Sequence, residues 1–194
     1  MAPYALSIVT DANAEPVTVA EVKLHTRIDS SFEDTLLTTW IRSAREQAEA
    51  YQKRSYVTKT YDLFLDDWPC NPFVLPRSPV SAITHVKYYG TDGTAYTFYE
   101  SGSTDNLDLD LSGEPARLAL AYSVSWPSTT LRSLNGVSIR FVSGYGPASI
   151  TTPDTVRDAI MLYCDWRYEN RTAESGEAPR QFWDLLRPSR VPNV

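Results

Sequence analysis

The sequence contains only two cysteines and two histidines among its 194 residues, and this scarcity excludes several kinds of site. Cys70 and Cys164 are too far apart to form a C-x-x-C pair, so there is no disulfide framework or redox motif. The same four residues lack the spacing that a structural zinc ion requires. We therefore expect two free thiols, no metal and no cofactor.

Long hydrophobic runs are also missing. No stretch approaches the roughly 20 apolar residues of a transmembrane helix. The first residues, MAPYALSIVTDANAEP, have neither the basic start nor the long apolar segment of a secretion signal. The sequence therefore predicts a protein that is made in the cytoplasm and has no membrane association.

Positive charge is scarce as well. The chain carries 18 Lys and Arg against 24 Asp and Glu, a formal net charge of −6. The deficit is spread along the chain, with −2 in residues 1–55, −3 in 56–150 and −1 in 151–194. A protein that grips DNA by neutralising phosphates needs a surplus of Lys and Arg. DNA binding as the main activity is therefore disfavoured.

Motifs for catalysis and ion binding are absent or incomplete. The sequence has no glycine-rich phosphate loop and no G-x-S-x-G nucleophile elbow. Asp108, Asp110, Ser112 and Gly113 match the first half of a calcium loop, but the twelfth position is Ala119 instead of a bidentate glutamate. Leucines alternate with these aspartates, which is typical of a strand with one face in water.

Cys164 is the remaining candidate nucleophile, within PDTVRDAIMLYCDWRYENR at residues 153–171. It would need His25 or His85 as a base to become a thiolate. Successive residues of a helix are about 100° apart, so the reactive side chains around Cys164 do not converge on one substrate. A hydrolase that uses Cys164 is a lesser alternative, and the sequence favours a protein that is not an enzyme.

Helical periodicity marks the first part of the chain. The T-x-x-E spacing at 18–21 is that of a capping box and predicts a short helix over about 19–26. The S-x-x-E spacing at 30–33 repeats it before a longer helix over about 32–54. Apolar residues on that helix recur every three or four positions, and we expect its charged residues to form a solvated face, Arg42, Arg45, Glu46, Glu49 and Lys53.

The end of the chain is also predicted to be helical. Thr152 as N-cap and Pro153 at the first helical position predict a helix that ends near Asn170. The polar segment TAESGEAP then resembles a linker. It precedes a short amphipathic segment with Phe182, Leu185 and Leu186, which we expect to dock either on another protein or back on its own domain.

The middle of the chain, about 56–146, has the period of two that is typical of strands. It should form five to seven short strands, including a hairpin that turns at Asp92-Gly93. The predicted fold class is therefore α+β, a helical fold with an inserted antiparallel β region. The predicted divisions are an N-terminal helical part (1–55), the β region (56–150), a C-terminal helix that completes the helical core (151–171), and a linker with a docking tail (172–194).

Aromatic residues are plentiful, with five tryptophans and twelve tyrosines. Trp and Tyr often anchor protein interfaces. A different class of function uses the same residues: a small-molecule or carbohydrate-binding β module flanked by helices. Its aromatic platform would lie around the predicted hairpin and comprise Tyr88, Tyr89, Tyr96, Phe98 and Tyr99.

The order of these motifs resembles the head–tail connector proteins, or adaptors, of tailed phages, which also occur in gene-transfer particles. The resemblance covers about residues 5–171. It is carried by EPVTVAEVKLHTRID, AREQAEAYQKRSYVTKTY, LPRSPVSAITHVKYYGTDGT, SWPS, VSIRFVSGYGP and PDTVRDAIMLYCDWRYENR. It implies a mainly helical fold, with a short N-terminal helix, a long helix and a C-terminal helix, into which the β region is inserted.

The resemblance also implies a structural function without a reaction. About twelve copies would form a ring between the portal and the tail of the particle, at the head–tail junction. A tail-side stopper or tail-terminator protein would bind below the ring, and DNA would pass through its channel without specific binding.

Residue type and placement suggest where the contacts lie. We expect portal contacts from the tail, at Trp183, Leu185, Leu186, Arg187 and Arg190. We expect contacts between subunits from Trp166, Arg167 and Tyr168. Deletion of 179–194 is expected to abolish portal binding and to leave the fold intact.

Overall fold

The computed structural model describes residues 4–102, 105–146, 151–171 and 177–191. The described chain divides into two compact units, a β unit (4–11 and 58–144) and a helical unit (12–57 and 145–191). Helices flank an antiparallel β region along the sequence, so the predicted α+β class is confirmed.

Four helices and one 3₁₀ turn form the described helical unit. They are α1 (Val19–Thr26), α2 (Asp34–Gln52), α3 (Asp154–Glu169), α4 (Arg180–Leu186) and the turn Arg187–Ser189. The first capping box is confirmed, because Thr18 Oγ1 accepts from Glu21 N at 3.2 Å and Glu21 Oε2 accepts from Thr18 N at 2.7 Å. The flanking residues Val17 and Val22 are both buried, as a hydrophobic staple requires.

Two predicted caps are wrong. α2 begins after Glu33, whose side chain makes no capping hydrogen bond, and Ser30 Oγ instead accepts from Phe32 N at 3.2 Å. α3 has Pro153 as its N-cap, while the Thr152 hydroxyl is buried and donates to the Tyr56 carbonyl oxygen at 3.5 Å. The Ser30 hydroxyl is used in a local turn instead of a cap, and the Thr152 hydroxyl is used by a carbonyl that is distant in sequence.

The core of the helical unit joins the apolar stripes of α2, α3 and α4. Its fully covered members include Leu37, Ile41, Ala44, Ala48, Ala159, Ile160, Phe182 and Leu186. Burying one large apolar side chain contributes about 1.5–3 kcal/mol. The end of the chain therefore docks on its own unit. Deleting 179–194 would remove Phe182 and Leu186 from this core, so, contrary to the expectation from the sequence, we expect the deletion to destabilise the fold.

The prediction of a solvated charged face on α2 is wrong at two positions. Arg45 and Glu49 are 2% and 5% exposed, and both belong to a buried polar network. Arg45 Nε donates to Glu15 Oε2 at 2.7 Å. A residue from the segment before α1 therefore pairs with this side of α2, and such a long-range contact has no trace in helical periodicity.

Eight strands form two antiparallel sheets in the described β unit. The strands are β1 (Tyr4–Thr10), β2 (Lys59–Leu65), β3 (Phe73–Val74), β4 (Val80–Tyr89), β5 (Ala95–Glu100), β6 (Leu107–Asp110), β7 (Arg117–Leu120) and β8 (Val137–Ser143). The larger sheet has the order β1-β2-β8-β4-β5, and the smaller one has the order β3-β7-β6. The hairpin at Asp92-Gly93 is confirmed, with Gly93 at φ +79° between β4 and β5. β1 was not predicted.

His85 makes the stability of the β unit depend on pH. It pairs with Arg140 across β4 and β8, and burial, reinforced by Lys87 and Arg140, lowers its pKa below 6.5. The unfolded chain therefore takes up this proton first as pH falls, so stability should decrease between about pH 6.5 and the lower folded pKa. We expect His85→Gln to reduce the difference in urea midpoint between about pH 7.5 and about pH 5.

The control for this experiment is His25→Gln, at an exposed position on α1. This variant should follow the pH dependence of the wild type. A His85→Gln protein with the full wild-type pH dependence would contradict the assignment of the effect to His85.

Candidate interaction surfaces

Cys164 is a core residue of α3. Its side chain is fully buried, and burial raises the pKa of the thiol to about 12. Such a thiol is not a nucleophile near neutral pH, so the hydrolase alternative has no support. In the described ranges, no three His, Cys, Asp or Glu side chains group as metal ligands would. No helix in the same ranges is long and apolar enough to cross a membrane.

The aromatic residues of the hairpin belong to a larger cluster in the β unit. Tyr88 and Tyr96 stack across β4 and β5 with ring centroids 5.1 Å apart. Trp68 lies 5.1 Å from Tyr88 and stacks on Trp126 at 4.8 Å. The sequence-based platform missed both tryptophans, and the only hint of them is that each precedes a proline.

This cluster does not form a flat platform for a sugar. Phe98 and Tyr99 are buried, and the Arg132 guanidinium covers the Tyr89 ring at 4.0 Å. Tyr88 and Tyr96 stack on each other, so one face of each ring is covered, and only Tyr96 is substantially exposed, at 41%. The geometry therefore gives the carbohydrate-binding alternative no specific support.

The C-terminal turn of α3 carries the three residues predicted to contact other subunits. Trp166, Arg167 and Tyr168 are all half-buried. Arg171 lies over the Tyr168 ring at 4.7 Å and forms an ion pair with Glu33 at 2.6 Å. The Arg171 pKa is raised, chiefly by its hydrogen bond to Glu33. These residues form a partly covered aromatic and basic surface on the helical unit.

The five residues predicted to contact the portal occupy different environments. Leu186 is fully buried, whereas Trp183 and Leu185 are half-buried. Trp183 lies 5.0 Å from the Tyr51 ring, where it extends the packing of the tail on α2. Arg187 and Arg190 are exposed. The most accessible part of this set is therefore basic, although Arg187 pairs with Asp184 at 3.4 Å and Arg190 lies over the Tyr51 ring at 5.0 Å. Leu186 can act only by fixing the tail.

Polar contacts at the end of α2 hold the tail in place. Gln52 Nε2 donates to the Leu186 carbonyl oxygen at 2.5 Å, and the Gln52 carbonyl oxygen accepts from Val191 N at 3.0 Å. Arg54 Nε donates to the Ser189 carbonyl oxygen at 2.6 Å. Sequence reasoning missed both residues, because polar side chains after a helix normally indicate only its solvated end.

The tail contacts continue into the buried network on α2. Glu49 accepts from Arg45 Nη1 at 3.2 Å and from Tyr56 N at 3.0 Å. The Tyr56 hydroxyl donates to Gln52 Oε1 at 2.8 Å. Burial, with a smaller effect of Glu49, raises the Tyr56 pKa well above its ordinary value, so this phenol stays neutral. One connected set of side chains thus supports both the helix and the tail.

Comparisons with known proteins agree with this architecture. Residues 16–102 match the family model of the phage gp6-like head-tail connector proteins. No curated protein gives a significant match to the sequence.

Solved chains from gene transfer agent particles have the same fold. A chain from the virion of a native gene transfer agent particle matches with a TM-score of 0.78 and 22% identity, over 97% of this chain and 96% of the other. A chain from the neck of an empty gene transfer agent particle, computed with C6 symmetry, matches with a TM-score of 0.79 and 23% identity, over 98% of this chain and 97% of the other. A chain from the neck of the native particle, computed with C12 symmetry, matches with a TM-score of 0.77 and 22% identity, over 98% of this chain and 97% of the other.

The fold thus defines the class of this chain. It is an α+β chain with the same fold as a chain solved in a gene transfer agent particle. The resemblance to the head–tail connector proteins is confirmed by the family model over 16–102.

Proposed function

We propose that this chain is a structural subunit of the neck of a phage or phage-like particle, where it joins the portal to the tail. The observation that carries the proposal is the fold match, which extends over 98% of this chain to chains from the necks of gene transfer agent particles. The connector family model, which matches the sequence independently of the fold, supports the same function.

We further propose that the subunits form a closed ring, with twelve copies as the expected number. The neck chains with the same fold come from structures computed with C12 and C6 symmetry. A ring requires two different surfaces on each subunit, because one face of a copy meets another face of the next copy. The residues expected at this contact are Trp166, Arg167 and Tyr168.

The function proposed here is mechanical and involves no reaction or cofactor. DNA would pass through the ring, and a formal net charge of −6 suits a channel that must not retain it. Basic walls would bind the phosphates by releasing counterions. The partners on the two sides of the ring would be the portal and a tail-side stopper or tail-terminator protein.

Electron microscopy of the native particle tests the proposal directly. We expect this chain in a collar between capsid and tail, with several copies around the axis. An antibody or a gold-labelled tag on the chain would identify it there. Particles that lack the chain, or that carry it elsewhere, would overturn the proposal.

The exposed arginines of the tail give a test of the portal contact. We expect Arg187→Glu combined with Arg190→Glu to weaken binding to the purified portal at least tenfold, because charge reversal at an interface is strongly unfavourable. Binding can be measured by biolayer interferometry. The control is Arg27→Glu combined with Arg42→Glu, which changes the net charge equally at exposed positions away from the tail. Equal portal affinity of the two double variants would refute this role for the tail.

A further inference from the structure

Arg167 has a hydrogen-bonding donor that the described part of its own chain does not satisfy. Its Nε is buried and has no hydrogen-bond partner among the described residues. The rest of its guanidinium forms no ion pair there either. Buried donors in folded proteins nearly always have an acceptor, so an orphan of this kind calls for an explanation.

The neighbouring arginines of the helical unit differ from Arg167. Arg157 also has a buried Nε without a partner, but its terminal nitrogens pair with Glu21 and Asp154. Arg171 pairs with Glu33 and lies over Tyr168. Both are therefore neutralised within the chain, whereas the charge of Arg167 is unmatched in the part of the chain that the structure describes.

Unmatched charge of the opposite sign lies on the other side of the same helix. Asp158 and Glu169 are exposed, Asp165 is half-buried, and none has an ion-pair or hydrogen-bond partner within the described residues. At about 100° per residue, all three lie roughly 160–200° around α3 from Arg167. Within the described residues, α3 therefore carries an unpaired cation at the end of its core-facing side and unpaired carboxylates on its outer side.

We infer that the terminal nitrogens of Arg167, which are not among the buried orphan atoms, receive a carboxylate from the outer face of α3 in the neighbouring copy, namely Asp158, Asp165 or Glu169. This inference rests on the proposed ring. In such a ring, each copy would donate hydrogen bonds from Arg167 to one neighbour and accept them at its carboxylates from the other neighbour. One helix would thus contribute to both contact surfaces of a subunit, which differ from each other in a heterologous interface. Arginine suits this role, because its planar group can donate two parallel hydrogen bonds to one carboxylate.

The test replaces the gene for this chain in a strain that produces the particle. We expect Arg167→Met to reduce the number of copies per particle at least tenfold, measured by quantitative mass spectrometry against the major capsid protein. Loss of one partner of a desolvated charge pair produces effects of this size. The control is Arg42→Met, at an exposed position on α2, which should be incorporated as the wild type is.

The purified chain separates an interface role from a structural one. Arg167→Met removes a buried donor that has no partner in the described ranges, so thermal unfolding should not occur at a lower temperature than in the wild type. A variant that unfolds earlier and is missing from particles would point to a folding role and overturn the inference.

Cross-linking identifies the acceptor. Particles that contain Arg167→Lys are treated with a carbodiimide, which joins an amine to a carboxylate in contact with it. We expect a cross-link between two copies, from position 167 to Asp158, Asp165 or Glu169. A cross-link to any other residue would overturn the assignment. A wild-type chain absent from the neck would refute the proposed function itself, whereas normal incorporation of Arg167→Met would refute only this inference.

Discussion

Glu49→Ala is expected to lower the free energy of unfolding of the chain by about 3–5 kcal/mol. Glu49 is buried, and it accepts from both Arg45 Nη1 and Tyr56 N. Its removal leaves the 2% exposed Arg45 with less compensation for its charge, and it also leaves a buried backbone donor without this acceptor. Each of these changes is costly, because a buried charge or donor cannot recover its interaction with water.

Urea denaturation of the full chain, followed by tryptophan fluorescence, measures this effect. The matched control is Glu46→Ala, because Glu46 lies on the same helix, is largely exposed and is 3.9 Å from Arg45. An exposed pair of this kind contributes about 0–1 kcal/mol. Glu49→Gln should fall between the two variants, since the amide oxygen can still accept from Tyr56 N. Similar losses in Glu49→Ala and Glu46→Ala would contradict the prediction.

The two buried residues also show where sequence periodicity stops being informative. It correctly indicated α2, α3 and a short helix in the tail, because the apolar residues of each recur at helical spacing, whereas α1 was indicated by its capping box. It placed Arg45 and Glu49 in solvent, because their burial depends on Glu15 and Tyr56, which lie outside α2. When a side chain is covered by a segment that is distant in sequence, its burial leaves no pattern in the sequence around it.

The β unit shows the same division between local and distant information. The hairpin at Asp92-Gly93 could be predicted because its turn residues determine its geometry. β1 could not be predicted, because its pairing partner β2 lies about 50 residues further on and most of its residues remain exposed. An exposed edge strand lacks the clean apolar alternation by which sequence analysis recognises strands.

The candidate surfaces were predicted from residue type alone. Whether each of these side chains is buried or exposed could not be predicted in the same way. Arginine and tryptophan near the ends of α3 and of the chain indicated interfaces, since these residues are frequent in binding hot spots. The sequence could not show that Leu186 is in the core while Arg187 next to it is exposed. Nor could it show that Arg167 lacks a partner among the described residues, which depends on every element around it.

Phe182→Ala is expected to destabilise the chain by about 3–5 kcal/mol, the usual cost of removing a buried aromatic ring and leaving a cavity. The Phe182 ring is fully buried and lies 5.4 Å from the ring of Tyr163 and 4.7 Å from that of Trp183.

The control for Phe182→Ala is Gln181→Ala, on the exposed side of the same helix, which should change stability by less than about 0.5 kcal/mol. Urea denaturation of both full-length variants decides between two descriptions of the tail. If it is an integral helix of this unit, only Phe182→Ala unfolds at lower urea. If it is a segment that orders on contact with a partner, both variants match the wild type in isolation. The buried ring and the hydrogen bonds to Gln52 and Arg54 favour the first description. The portal contact should therefore be made by the outer surface of a helix that is already folded.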